Sequence, residues 1–384
     1  ATLKNIISLV QYLDWSHISD LVGCYSSDSS KVEAIGMLTL QPLTNYNDDY
    51  VPKILKAIQS DSSKVKALDH LSKFIVNPSG LIISNVLSTI SSDSSKCEAV
   101  AILIKRFETL NDGYIKGILS MISSDSSTVN ALRFLIPKIS LIQDINVLEI
   151  IQTIQSDSSK TESLSIATKK TISISAPIAL AIINNIKSDS SKINGLNSIV
   201  PKMTITFDSV YDIMKNISSD SSTLAALKIF VENGYVANEN QLIDTLSAVS
   251  SCGTKSEIAI ILSDRIESIS YHDAFCKLLA LAINDQDYYL KVTNKLNLNE
   301  EYVQKYKPEK KTFNFDDIDF GSHDISIPNG VNCISHSIMT NGDTRHEIKK
   351  FSNGMVIENR YVNNGGMSRT VTYEKNNSSF FNYF

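Results

Sequence analysis

The sequence predicts a mostly α-helical solenoid of about eight 32-residue helical-pair repeats, followed by a small C-terminal antiparallel β-meander. Three observations carry that expectation. Ser-Asp-Ser-Ser-Lys or a close variant places an Asp at Asp28, Asp61, Asp93, Asp125, Asp157, Asp189 and Asp220, at intervals of 33, 32, 32, 32, 32 and 31 residues. Apolar residues at helical spacing fill the stretches between the copies. Four Asn-Gly pairs, Asn329-Gly330, Asn341-Gly342, Asn353-Gly354 and Asn364-Gly365, follow at intervals of 12, 12 and 11 residues. A period of roughly 20–50 residues marks an array whose units bury their apolar faces only against their neighbours.

Residues 1–26 read as an N-terminal cap of two helices. Leu3, Ile6, Ile7, Val10 and Leu13 fall at helical spacing, and Ile18, Leu21 and Val22 mark a second helix from Trp15. The Ser-Asp-Ser-Ser signature is missing here, which suits the closing unit of an array. Trp15 and His17 belong to that cap and to no site.

Residues 27–298 form the predicted array. In each unit a first helix starts at the motif, as with Val32, Ile35 and Leu38 or Val129, Leu132 and Leu135. Pro42, Pro78, Pro137 and Pro201 fall about fourteen residues past the motif Asp or slightly beyond, where proline interrupts helical hydrogen bonding. A second helix leads into the next motif, through Ile54, Leu55 and Ile58 or Ile182, Ile183 and Ile186. An eighth copy keeps the interval but places Cys252 where the acid stood, and a ninth near Asn284 is barely recognisable.

Each motif is a helix-to-helix joint, and its Asp is the first choice of N-cap, because a carboxylate there accepts from a free amide and suits the helix dipole. A second register places the cap on the last Ser or Thr, with Ser30 and Glu33, Ser95 and Glu98, Ser159 and Glu162, and Thr254 and Glu257 as capping boxes. A row of Asp and Ser side chains also suggests cation binding, but one Asp per joint supplies too few converging oxygens for calcium. No metal or cofactor is therefore expected.

Ser60-Asp61-Ser62-Ser63-Lys64-Val65-Lys66-Ala67-Leu68 and Ser219-Asp220-Ser221-Ser222-Thr223-Leu224-Ala225-Ala226-Leu227 show the fullest form of the repeat. Over about residues 20–290 this signature resembles the helical-pair modules called domain of unknown function 4476. The resemblance implies stacked helices and carries over no activity.

After Leu290 the polar, Lys- and Glu-rich stretch from Asn294 reads as a last helix running into a linker over residues 299–324, in which Phe313 to Phe320 alternates aromatic with acidic side chains. Residues 325–384 read as hairpins, because Asn-Gly tolerates the positive φ that tight turns need. The expected strands run over residues 331–340, 344–351, 355–362 and 367–375. The aromatic tail with Phe380, Phe381, Tyr383 and Phe384 is either tucked into a contact of that sheet or an exposed docking peptide.

Hydrophobic residues make up 42% and charged residues 20%, a globular composition, and the net charge of -5 is spread thinly. No nucleic-acid partner is expected, since a large basic face is missing, and no membrane partner, since no apolar run approaches a span. Five scattered cysteines suit a cytoplasmic or other reducing intracellular compartment, or a viral particle. His323, His336, His346 and Cys333 suggest zinc, but Cys333 and His336 lie three apart on a strand and point to opposite faces. His272, Asp273 and Cys276 suggest nucleophilic chemistry, yet a spacing of four also places Cys276 inside a helix contact. The expected function is therefore a non-catalytic protein-binding scaffold or structural assembly protein, with self-association through the C-terminal sheet. A component of a virion or other large particle is one alternative. An enzyme with a pocket between the last repeats and the sheet is the other.

Overall fold

The computed structural model describes residues 13–41, 43–76, 78–266 and 269–310, together with 333–341, 344–351, 355–362, 367–373 and 381–383. Two compact units divide the chain, Ala1–Glu309 and Lys310–Phe384. The first is mostly helical, with nineteen α-helices among the described residues.

A leading helix, α1, spans Trp15–Gly23. The motif helices are α2 (Asp28–Leu38), α4 (Asp61–Leu71), α6 (Asp93–Leu103), α8 (Asp125–Leu135), α10 (Asp157–Ala167), α12 (Asp189–Ile199), α14 (Asp220–Glu232), α16 (Cys252–Ser263) and α18 (Gln286–Lys295). Between and after them run the second helices α3 (Tyr50–Lys56), α5 (Gly80–Leu87), α7 (Ile115–Leu119), α9 (Asp144–Gln152), α11 (Ala176–Asn184), α13 (Phe207–Lys215), α15 (Glu239–Leu246), α17 (His272–Ala282) and α19 (Glu300–Tyr306). Motif helices pack on motif helices of adjacent units, and second helices on second helices.

The period explains the packing. Seven residues past the motif Asp stands a buried apolar side chain, Ile35, Leu68, Val100, Leu132, Leu164, Leu196 or Leu227, and one residue earlier a small one, Ala34, Ala67, Ala99, Ala131, Ser163, Gly195 or Ala226. The small residue lets helices approach closely: a Cβ on Gly195 would meet Ile186 at 3.1 Å. Facing these, the second helices bury Ile54, Leu55, Ile82, Ile83, Ile118, Leu119, Ile182 and Ile183 in one continuous core.

Five motif helices end in a 3-10 turn, Ser72–Phe74, Ile104–Arg106, Ile136–Lys138, Thr168–Lys170 and Val200–Lys202. Pro137 and Pro201 sit inside two of them, where proline breaks the α pattern but fits a tighter turn. After α14 the chain turns instead at Gly234, whose φ of +97° lies in the region that favours glycine.

Trp15 is fully buried and meets the rings of Tyr46 and Phe74 edge-on. The helix expected over Thr2 to Leu13 lies mostly outside the described residues. The linker expected from residue 299 begins instead as α19, which packs on α17 within the first unit.

Candidate functional site

The repeated motif builds the same joint at each step, and the cap lies one residue earlier than expected. Ser27, Ser60, Ser92, Ser156, Ser188, Ser219 and Ser251 are the N-caps, each accepting from the amide three residues on at 3.2–3.4 Å. Ser124 holds the N-cap position without that bond. Asp28, Asp61, Asp93, Asp125, Asp157, Asp189 and Asp220 are thus first helical residues and not caps. The register with Ser30 and Glu33 is also absent, since Ser30 donates its amide to Ser27 Oγ. The reason is geometric: side chains on a helix lean toward its N-terminus, so a carboxylate at the first helical position leans off the helix end.

Each of these carboxylates reaches forward. Asp28 accepts from Gln59 and Ser60, the latter at 2.6 Å, just ahead of the next motif helix. Asp61 takes Ser91 and Ser92, Asp93 takes Ser123 and Ser124, and Asp125 takes Gln155 and Ser156. Asp157, Asp189 and Asp220 repeat the pattern on Lys187 and Ser188, Ser218 and Ser219, and Ser250 and Ser251.

The motif lysine completes the clasp. Lys31 Nζ donates to the Ala57 carbonyl at 2.6 Å, Lys64 to Thr89 at 2.6 Å, Lys96 to Met121 at 2.6 Å and Lys160 to Asn185 at 2.5 Å. Lys192 bonds Asn216 and Lys255 bonds Ala282 in the same way. An ammonium beside the last carbonyls of a helix also suits the negative end of its dipole. Sequence reading missed this inward role, although Lys31 lies three and four residues before Ala34 and Ile35, on the apolar stripe.

Two of the seven acid-bearing joints lack the lysine. Thr128 and Thr223 each turn back to a carbonyl of their own helix end, Ser124 and Ser219. In the eighth copy the acid is gone and Lys255 alone spans the joint. In the last motif helix Tyr289 stands at the lysine position, fully buried, and its hydroxyl reaches the Val303 carbonyl at 3.5 Å.

Electrostatics follow the bonds. The amides of Ser60 and Gln59 hold the Asp28 carboxyl below the usual range. At Asp61, Asp93, Asp125 and Asp157 burial pushes the carboxyl up, and the two forward amides with the nearby lysine outweigh it, leaving a net lowering. These carboxylates are therefore ionised and engaged.

The opposite ends of the units carry a lighter version of the joint. Asp112 accepts from the Gln143 amide and Asn146 Nδ2, Asp144 from the Ser175 amide and hydroxyl, and Glu239 from the Ser270 amide.

His272, Asp273 and Cys276 do not converge. His272 Nδ1 accepts from the Asn299 amide at 3.4 Å, Asp273 pairs with Lys305 at 3.0 Å, and Cys276 is fully buried with its thiol pushed up by that burial. Among the described residues no group of three His, Cys, Asp or Glu is placed to hold a metal ion. His323, Phe380 and Phe384 lie outside the described residues, as do the side chains of Cys333, His336, Phe381 and Tyr383. Cys24, Cys97, Cys252 and Cys276 are free thiols. Among the described residues no helix is long and apolar enough to cross a membrane.

No family model matches the chain. Over 114 residues, 29% of its length, it is 36% identical to the uncharacterized protein L750 of Acanthamoeba polyphaga mimivirus. That match covers 33% of the viral protein, so the chain spans about a third of this relative's length. A solved chain from "Computational Design of Self-Assembling Cyclic Protein Homooligomers" covers 76% of this chain and 95% of its own at 11% identity, with a TM-score of 0.13, and carries no argument here.

Proposed function

We propose that the chain is a non-catalytic scaffold that binds protein partners along its helical array and uses its C-terminal part for assembly. The observation that carries this reading is the joint. The Asp and Lys side chains that recur in the motif are engaged in clasping one unit to the next, and what they build is a repeated surface. Such surfaces serve stacked-repeat proteins as extended binding faces. The buried, unactivated Cys276 and the ion-paired Asp273 weigh against the enzyme alternative.

A C-terminal β-meander belongs to the same proposal. It is supported by the segments Cys333–Asn341, Thr344–Phe351, Met355–Val362 and Met367–Tyr373, each antiparallel to the next. Asn-Gly pairs fall at or between their ends, and Phe381–Tyr383 pairs along the fourth. A sheet with an outer strand open on one side invites strand addition by another chain. Similarity to a mimivirus protein favours a second form of the proposal, in which the assembly is a viral particle.

Light scattering at several concentrations tests the reading, on the intact chain and on a version ending near Lys311. Association of the intact chain, with a folded monomer for the shortened one, supports assembly through the C-terminal part. Two monomers at every concentration remove it.

A further inference from the structure

Four basic side chains recur as the last residues of the 3-10 turns that end motif helices: Arg106, Lys138, Lys170 and Lys202, each thirty-two residues after the last. Backbone bonds hold this row in register. The carbonyls of Lys138, Lys170 and Lys202 accept from Leu110, Ile142 and Ile174 of the preceding unit at 2.8, 2.9 and 2.8 Å. Each of the four side chains is partly exposed, and the ion pairs among the described residues involve other bases. Arg106 Nε is enclosed without an acceptor. Beside the row Leu141 and Ile172 expose 45% and 74% of their surface and line a shallow groove across three units. Of the nearby acids, Glu162 is held by Arg133, Asp112 and Asp144 take amides of the following unit, and Glu108 faces solvent.

A line of like charges held in no ion pair attracts an anionic polymer. Stacked helices repeat at roughly 8–10 Å. A polyproline-II segment returns to one face every third residue, about 9.3 Å on, and so keeps step with the row. A β-strand returns after about 6.8 Å and drifts out of step. Four residues before the row bases stand Ile102, Phe134, Ile166 and Ser198, one ring in four steps, which favours a peptide over base-by-base stacking of single-stranded nucleic acid. The geometry points to an edge track that docks an acidic polypeptide in extended polyproline-II form, with a carboxylate at every third residue. This rests on the scaffold reading and specifies its partner.

Fluorescence anisotropy on the full chain tests it, at physiological salt. The probes are a labelled peptide repeating Glu-Pro-Ala, a peptide of equal composition with its glutamates clustered, and an oligothymidylate. The repeating peptide is expected to bind about tenfold tighter than the clustered one, and Lys138→Glu with Lys170→Glu to weaken it by about tenfold or more. Circular dichroism checks folding, and Lys138→Ala with Lys170→Ala replaces the reversed pair where that pair misfolds. Equal binding of the two peptides, indifference to the substitutions, or tighter oligonucleotide binding overturns the track. Absent peptide binding with concentration-dependent association intact removes the track and leaves the scaffold standing.

Discussion

Replacing Asp93 by Ala removes the acceptor of two amides in the next unit, Ser123 at 3.0 Å and Ser124 at 2.6 Å. Lys96 keeps the Met121 carbonyl and loses its carboxylate neighbour. A hydrogen bond to a charged group contributes about 1.5–3 kcal/mol. Both amides lie near solvent, and water replaces the lost acceptor, so the pair together is worth about 2–3 kcal/mol. That raises the opening constant of this joint by about thirty- to 150-fold. Hydrogen exchange read by mass spectrometry over residues 121–135 measures it. Protection should fall there and hold in distant units, because coupling in a stack passes between nearest neighbours. Asp93→Asn keeps a neutral acceptor and should lose less. Unchanged exchange at Ser123 and Ser124 in Asp93→Ala would refute the forward clasp.

Acid should loosen the joints made by Asp61, Asp93, Asp125 and Asp157 together. The carboxyls of Asp61, Asp93, Asp125 and Asp157 are lowered from 3.8 in the folded chain. Their contribution is thus complete above the unfolded value and lost as pH falls through the lower folded ones, so urea midpoints should hold from neutral pH to about pH 5 and drop below about pH 4. A midpoint that stays level into that acid range contradicts the assignment. Thr128→Lys supplies the missing cation at the fourth joint, and slower exchange over residues 153–160 is the expected gain. Ala131→Leu fills a fully buried small site between helices and should cost about 1–3 kcal/mol in a urea melt. Thiol labelling of the native chain should modify exposed Cys24 and spare Cys97 and Cys276, both buried; rapid labelling of Cys276 would reopen the nucleophile reading.

The array was legible in the sequence because its period and its apolar spacing agree, and Ile35, Leu68 and Leu132 are buried where a helical stripe places them. The joint was half legible. Ser and Asp at a helix start announce a cap, but which of two adjacent residues caps depends on backbone direction, and Ser27 is extended while Asp28 is already helical. The partner of Asp28 lies 31 and 32 residues on, at Gln59 and Ser60, and no local rule reaches that far. Lysine at a core-facing position was a readable sign of an inward bond. Tyr289 was not, since the last motif copy shares almost no residues with the others. The C-terminal expectations fall largely on side chains outside the described residues.

Every clasp points the same way, from an earlier unit to the amides and carbonyls that lead into a later one. Synthesis runs in that direction too, and N-terminal parts of a chain fold first as it emerges. A finished motif helix therefore presents its carboxylate and ammonium to backbone that has yet to be made. The newest unit on the ribosome is always the loosest, and each step of elongation secures the one before it.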